Sequence, residues 1–231
     1  MPQYLAEING KNFRLSQDET RHLKAARARC GGEIKIFDGS GLKYAAKIET
    51  LTDKITAGKI IQTIPYTEPK RNVHLYFSAV SRAAAEDLLD KCTQVGVFAF
   101  HPVISARSDG DLLKKWETKK DRWRNILISA CKQCETPRVP QIFEPVDFSA
   151  AVQTNIPAII CYENEKKTNI LPVINKLQNA AELAVFVGPE GGYAEEEIKL
   201  AISRKILPLT LGNNILRAET AATIACWAAT Q

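Results

Sequence analysis

Two segments near the end of the chain combine glycines with charged side chains in a way that suits ligand binding. The first runs from Phe186 to Gly192 and reads Phe-Val-Gly-Pro-Glu-Gly-Gly; the second, Leu211 to Ala221, reads Leu-Gly-Asn-Asn-Ile-Leu-Arg-Ala-Glu-Thr-Ala. Glycine lets the backbone approach a ligand closely. Arg217 offers a cation for a developing negative charge, while Glu190 and Glu219 offer carboxylates for proton transfer or for hydrogen bonds to backbone amides. These residue types predict a small-ligand site with charged groups at its edge.

Each glycine segment lies between a predicted strand and a predicted helix. Leu183–Val187 is a continuous apolar run, typical of a strand buried on both faces, and Glu195–Glu197 place negative charge in the first turn of a helix. Residues 206–211 and the alanine-rich stretch from Ala218 repeat the pattern. Two such turns at the carboxyl edge of a parallel sheet predict an α/β fold with a ligand crevice. Such junctions are common, and neither segment fits G-x-G-x-x-G or the P-loop, so the pattern alone leaves the ligand open.

The middle of the chain supplies the other elements of this sheet. A strand over 73–79, a helix over 81–95 and a strand over 98–104 form a strand–helix–strand unit, so we expect parallel strands. Residues 73–231 are therefore predicted to form one α/β domain. The remaining predicted elements are a helix over 114–133, a strand over 157–162 and a short helix over 169–177.

Residues 1–72 differ in pattern and in charge. Short alternating runs such as Glu33–Phe37 and Lys43–Ile48 predict a small β-barrel with one or two helices, one of them over 17–28. The net charge of +5 lies here, because this part holds 13 Lys and Arg against 8 Asp and Glu while the remainder is balanced. A basic barrel is typical of an RNA-docking module, although a solvated surface explains so modest an excess as well. The polar stretch Thr67–Asn72 indicates a linker between the two domains.

Composition limits the other possibilities. Hydrophobic residues make up 45% of the chain and charged residues 25%, as in soluble globular proteins. No stretch approaches the roughly 20 apolar residues that a membrane-spanning helix needs, and the first residues lack the pattern of a signal peptide, so we expect a cytoplasmic protein without membrane contact. The six cysteines are predicted to be reduced and buried. Cys131-x-x-Cys134 has no second ligand pair, so no metal is predicted.

The two glycine segments, in this order and spacing, resemble the C-terminal signature of the SPOUT methyltransferases. More narrowly, the chain is similar to the RsmE family, which methylates N3 of a uridine in 16S ribosomal RNA. His22-Leu23 and Phe37–Gly41 resemble the N-terminal domain of that family, and Asp90–Val97 and Pro102–Ser108 resemble two of its internal segments. The resemblance implies a PUA-like barrel in residues 1–72 and a SPOUT domain with a trefoil knot in residues 73–231. It also implies S-adenosylmethionine as the cofactor, a homodimer, and 16S rRNA in the assembled small ribosomal subunit as the substrate.

The resemblance further implies roles for individual residues. Arg217 and Arg107 are expected to stabilise negative charge on the uracil. Glu219 is a candidate catalytic carboxylate, although it is also suited to capping a helix, as Glu190 is to holding the glycine turn. The cofactor is expected among Phe186, Val187, Gly188, Pro189, Glu190, Gly191, Gly192, Leu211, Gly212, Asn213, Ile215 and Leu216. RNA contacts are expected from His22, Arg27, Arg29 and Arg138. The sequence departs from the family pattern at Ala28, Gln94, Ala106 and Glu135, which predicts a differently tuned substrate surface.

Two other functions remain open at this point. A SPOUT enzyme that methylates a ribose 2′-hydroxyl carries related glycine segments, and only the chemical position of the methyl group separates it from a base methyltransferase. A non-catalytic RNA-binding or assembly protein that keeps the fold is the third possibility, and it would bind no cofactor.

Overall fold

The computed structural model of the protein describes residues 3–78, 81–108 and 115–231, and the chain divides into two compact units. The first unit contains the chain up to Glu68 together with Ile128–Val139. The second unit contains Pro69–Leu127 and Pro140–Gln231. A domain boundary was expected after residue 72, and the return of 128–139 to the first unit is a feature that the sequence pattern did not indicate.

The first unit is a closed barrel of five strands in the order β1-β2-β5-β4-β3. Alternating apolar side chains such as Phe13, Leu15 and Ile36 fill its interior, which follows from the two-residue repeat of a strand. The barrel predicted from the sequence is thus confirmed. Its elements are β1 Gln3–Asn9, β2 Asn12–Leu15, α1 Gln17–Ala25, β3 Glu33–Phe37, β4 Lys43–Leu51 and β5 Thr56–Ile64.

Residues 128–139 are joined to the rest of the first unit by polar contacts. The Gln3 side-chain amide donates hydrogen bonds to the backbone carbonyls of Cys131 (3.0 Å) and Thr136 (2.7 Å). The Lys35 ammonium donates to both carboxylate oxygens of Glu135, at 2.9 and 2.8 Å. Glu135 has a φ of 58°, in the region that favours glycine, so this ion pair accompanies a strained backbone.

The second unit contains a seven-stranded sheet in the order β12-β10-β11-β6-β7-β8, with β9 also paired to β7. Every pairing in this sheet is parallel, as predicted. The strands are β6 Asn72–Ser78, β7 Ala99–Ile104, β8 Gln141–Ile142, β9 Val146–Asp147, β10 Ala158–Cys161, β11 Glu182–Val187 and β12 Leu207–Leu209. The helices are α2 Arg82–Gln94, α3 Trp116–Cys134, α4 Phe148–Ala151, α5 Ile170–Lys176, α6 Glu195–Ser203 and α7 Ala218–Thr230, and the last turns of α3 belong to the first unit.

Helices cover both faces of this sheet, which explains why β11 is apolar throughout. On one face Phe186 packs with Phe148 of α4 and Ile198 of α6. On the other face α7 packs on β6 and β11 and against α2. The Ser81 hydroxyl accepts a hydrogen bond from the Ala84 amide at 3.2 Å, so it caps the start of α2.

Several element ends differ from the predicted ones for local reasons. The last strand was predicted over 206–211 but ends at Leu209, because the Thr210 amide donates instead to the carbonyl of Thr168 in a neighbouring loop (2.8 Å). Helix α1 ends at Ala25, because Arg27 has a φ of 59°. The cysteines are free, but the prediction that all are buried was wrong for the exposed Cys30 and for Cys134 and Cys161, which are partly exposed.

Ala79, the predicted end of a strand, and Lys114, the predicted start of a helix, lie outside the described residues. The trefoil knot stays a prediction. Within the described ranges, no helix is both long and apolar enough to cross a membrane.

Candidate functional site

The first glycine turn follows directly from the carboxyl end of β11. The Gly192 amide donates to the Pro189 carbonyl at 2.8 Å, which closes the turn, and Gly192 has a φ of +67°. A Cβ atom on Gly188 would lie 3.0 Å from the ring of Tyr193, so this ring needs a glycine above it. Burial raises the pKa of the Tyr193 hydroxyl above its usual range, so this group stays protonated and packs rather than acting as a base.

The second turn leaves β12 and leads into α7. The Thr210 hydroxyl donates to the Gly212 carbonyl at 3.0 Å and accepts from the Gly212 amide at 3.2 Å. Gly212 has a φ of +129°, which a residue with a Cβ rarely adopts. Beyond it, Ile215 is 87% exposed, so an apolar side chain stands free beside the turn.

A third loop, after β10, completes the site. The Lys166 ammonium donates to the Glu163 backbone carbonyl at 2.6 Å, and the Glu165 carboxylate accepts from the amides of Lys167 (2.7 Å) and Thr168 (2.9 Å). These contacts fold the loop on itself. They place Glu163 beside the first glycine turn.

The three loops enclose a cavity of about 430 Å³ at the carboxyl ends of β10, β11 and β12, called here the carboxyl-edge cavity. This volume lies within the range of about 300–1,000 Å³ that is typical of small-molecule sites. Its position matches the crevice predicted from the sequence. The lining residues are 161–163, 166, 187–193, 209–218 and 221.

Most of the residues expected to bind a cofactor line this cavity. They include Val187, the whole of Gly188–Gly192, and the segment from Leu211 to Leu216. Phe186 does not line it: this side chain is fully buried and stacks on Tyr76 at a centroid distance of 4.4 Å. Glu163, Lys166 and Thr210 also line the cavity but were not predicted from the sequence. Their position just after predicted strands at the same sheet edge was the available signal.

The charged candidates occupy different positions around the cavity. Arg217 lines it, and its guanidinium makes no hydrogen bond or ion pair with the described residues. The Arg107 Nη1 donates to the Gly191 carbonyl at 2.7 Å, so this side chain contacts the glycine turn from outside the lining set. Glu219 lies in the first turn of α7 and is not among the lining residues.

One carboxylate fixes the backbone around Arg107. Glu197 of α6 accepts the Ala106 amide on Oε1 and the Ala194 amide on Oε2, both at 2.9 Å. The second bond gives the Ala194 amide, at the start of α6, a hydrogen-bond acceptor, as the glutamate of a capping box does. The first bond ties the loop after β7 to the same helix start, so Arg107 is held against the glycine turn.

Comparison with other proteins identifies the family. Residues 67–230 match the family described as RNA methyltransferase domain, which is well over half of the chain. The chain belongs to the RNA methyltransferase family.

Two relatives and one solved structure illustrate this membership. The chain is 28% identical over 225 residues to ribosomal RNA small subunit methyltransferase E of Aquifex aeolicus, with 94% of this chain and 93% of that protein covered. It is 26% identical over 237 residues to the same-named protein of Bacillus subtilis, with 96% and 93% covered. The crystal structure of ribosomal RNA small subunit methyltransferase E from Neisseria gonorrhoeae bound to S-adenosyl methionine matches with a TM-score of 0.87 and 28% identity, covering 98% and 95% of the two chains.

The residues of this RNA methyltransferase that were expected to contact RNA all belong to the first unit. His22, Arg27 and Arg29 are exposed. The His22 Nδ1 lies 3.3 Å from the Lys132 ammonium, which also donates to the Glu19 carboxylate at 2.6 Å. Because an ammonium has no acceptor, the Nδ1 of His22 accepts in this contact and its Nε2 remains available as a donor.

The fourth of these residues, Arg138, is already engaged in the first unit. Its guanidinium donates to Glu68 at 3.0 Å and packs over Gly41, where a Cβ would lie 2.6 Å from Nη2. The methyltransferase has no cluster of three or more His, Cys, Asp or Glu suited to a metal among its described residues.

Proposed function

We propose that this protein transfers a methyl group from S-adenosylmethionine to N3 of a uridine in the 16S rRNA of the small ribosomal subunit. The observation that carries the proposal is the carboxyl-edge cavity, built from the two glycine turns, in a chain whose family and SAM-bound structural neighbour are methyltransferases. The exposed basic residues of the barrel support RNA as the substrate. Since ribosomal subunits are the substrate, we place the reaction in the cytoplasm.

The cavity suits the cofactor by size and by its lining. The partly exposed side chains of Leu211 and Leu216 offer apolar surface for a purine ring, and Val187 lines the cavity at the end of β11. The glycines of both turns leave backbone amides and carbonyls accessible for hydrogen bonds to its edge. Asn213 adds a polar side chain at the rim. We propose these residues, with Gly188–Gly192, as the groups that hold the cofactor.

The chain's own contribution to the reaction is the handling of the uracil's proton and charge. S-adenosylmethionine supplies an electrophilic methyl group on a positively charged sulfur. As uracil N3 loses its proton, negative charge develops on the neighbouring ring oxygens, and the free guanidinium of Arg217 is placed to stabilise it. Arg107, held at the Gly191 carbonyl, is the second candidate cation. We propose Glu219 as the acceptor of the N3 proton.

The test is methyl transfer from labelled S-adenosylmethionine to small subunits purified from cells that lack this protein. We expect one methylated nucleoside, identified by mass spectrometry as N3-methyluridine, with Arg217→Ala as the inactive comparison. A 2′-O-methylated ribose would replace this proposal by the ribose-methyltransferase alternative. If the cofactor binds neither to the protein alone nor to its complex with subunits, the chain is an RNA-binding protein without this activity.

We also propose that the protein is a homodimer. Ile224 and Trp227 lie three residues apart on α7 and are 40% and 52% exposed, which is unusual for a pair of large apolar side chains on one helix face. A second copy covering this face would bury both. Sedimentation of the wild type at the mass of a dimer, and of Trp227→Glu at the mass of a monomer, would support this proposal; a monomeric wild type would refute it.

A further inference from the structure

Glu163 is a carboxylate of the carboxyl-edge cavity whose role is not explained by the folding of its own loop. It comes two residues after the end of β10 and lines the cavity together with the glycine turn that follows β11. Its neighbours in the loop are engaged: Lys166 donates to the Glu163 carbonyl, and Glu165 accepts two backbone amides. The Glu163 carboxylate itself makes no hydrogen bond or ion pair with the described residues.

The position of this carboxylate is defined by its contact with Gly192. A Cβ atom at residue 192 would lie 2.2 Å from the Glu163 Oε1 and 3.0 Å from its Cδ. The carboxylate therefore occupies the space that any side chain at position 192 would fill. The Glu163 carboxylate thus packs against the glycine turn and has no partner among the described residues. It is available to a group of a ligand bound in the cavity.

The neighbouring glycine indicates which end of the cavity this is. The Gly191 carbonyl accepts a hydrogen bond from Arg107, which is a candidate for contact with the target base. The methyl group must lie where cofactor and target base meet. Glu163 and Arg107 contact successive residues of one turn, which puts the carboxylate next to the proposed place of methyl transfer.

We propose that Glu163 recognises the positive charge of the sulfonium and thereby makes the site prefer S-adenosylmethionine over S-adenosylhomocysteine. The inference rests on the proposed function and deepens it. The two molecules share their ribose, adenine and amino-acid groups and differ in the methyl group and in the charge on sulfur. A carboxylate beside the sulfur favours the charged cofactor and disfavours the neutral product, which promotes product exchange after each transfer.

The experiment is calorimetric titration of the full chain with S-adenosylmethionine, S-adenosylhomocysteine and methylthioadenosine, which keeps the ribose but carries no charge. Glu163→Gln preserves the size of the side chain and removes its charge. Glu196→Gln is the matched control, because Glu196 is exposed in the same unit, away from the cavity, and has no partner among the described residues. Circular dichroism and thermal unfolding establish that each variant is folded.

We expect Glu163→Gln to weaken S-adenosylmethionine about tenfold and the two uncharged-sulfur ligands by less than about twofold. Glu196→Gln should leave all three affinities unchanged. Equal weakening of all three ligands would overturn the inference, because the carboxylate would then bind the ribose hydroxyls that they share. Unchanged affinity of Glu163→Gln for all three ligands would overturn it as well. If wild-type protein binds none of the three, the proposed function itself fails, and that outcome is visible before any variant is made.

Discussion

Replacement of Gly192 by alanine tests whether backbone strain or contact with the Glu163 side chain excludes a Cβ at this position of the site. Residue 192 has a φ of +67°, and placing a residue with a Cβ in this region costs about 1–2 kcal/mol. The new methyl group would also lie 2.2 Å from the Glu163 Oε1. Because that side chain is exposed and has no partner within the described part of the chain, it can rotate away at little cost, so the backbone term should determine the loss of stability.

The expected loss for Gly192→Ala in the cofactor-free protein is therefore about 1–2 kcal/mol, or a fall in Tm of about 2–8 °C for a chain of this size. Gly191→Ala is the matched control, because Gly191 has no positive φ and its Cβ would lie 3.5 Å from the Cδ and 3.6 Å from the Cβ of Arg107, which are ordinary contacts. Its stability should stay within about 0.5 kcal/mol of wild type. Differential scanning calorimetry measures both.

Two results would refute this reasoning. A loss for Gly191→Ala as large as that for Gly192→Ala would show that the turn tolerates no methyl group anywhere and that φ is not the cause. A double variant that adds Glu163→Ala to Gly192→Ala should remain as destabilised as the single variant. Recovery of more than half of the lost stability would show that the contact with Glu163, rather than the backbone, was responsible.

Three other predictions concern the charged groups. Arg217→Ala should lower kcat by about 100-fold or more while cofactor affinity, measured by calorimetry, changes by less than about threefold, because its charge is needed only as the transition state develops. Glu135→Gly should be more stable than Glu135→Ala by about 1–2 kcal/mol in denaturant titrations, since both lose the half-exposed Lys35 pair but only glycine relieves the positive φ. Burial, and then the nearby His74, lowers the pKa of His101 to about 4. As the pH falls, the His101 imidazole is therefore protonated in the unfolded chain before it is protonated in the folded protein. The contribution of His101 to the free energy of unfolding is full above about pH 6.5 and falls by about 2 kcal/mol towards pH 4, allowing for the partial exposure of the ring. His101→Gln should flatten this decline in denaturation curves measured across that pH range.

The sequence predicted best those elements whose signals are local. The apolar run before Gly188 is typical of a buried strand, and the three glutamates from Glu195 mark a helix start, so the first strand–turn–helix was placed correctly. Chain segments that contact residues far away in sequence were missed. The return of 128–139 to the barrel depends on contacts such as Gln3 with Cys131, which are 128 positions apart and leave no local pattern.

The candidate site shows the same division. Its glycines and Arg217 were selected because the turns have recognisable composition. Glu163 was treated as the end of a strand, because a lone glutamate after an apolar run is ordinary. Its contact with Gly192 is visible only in three dimensions. Phe186 was expected at the site by resemblance, as part of the first glycine segment; its side chain packs in the core, and a cofactor contact through its backbone stays a prediction.

The bond from the Ala106 amide to the Glu197 carboxylate has a consequence for the order in which the site matures. It joins positions 91 residues apart, whereas the bond that closes the glycine turn joins Pro189 to Gly192. Contacts between distant positions form later in folding, because a long loop must first be closed. The glycine turn therefore closes early in folding, and the bond that fixes the backbone beside Arg107 closes late.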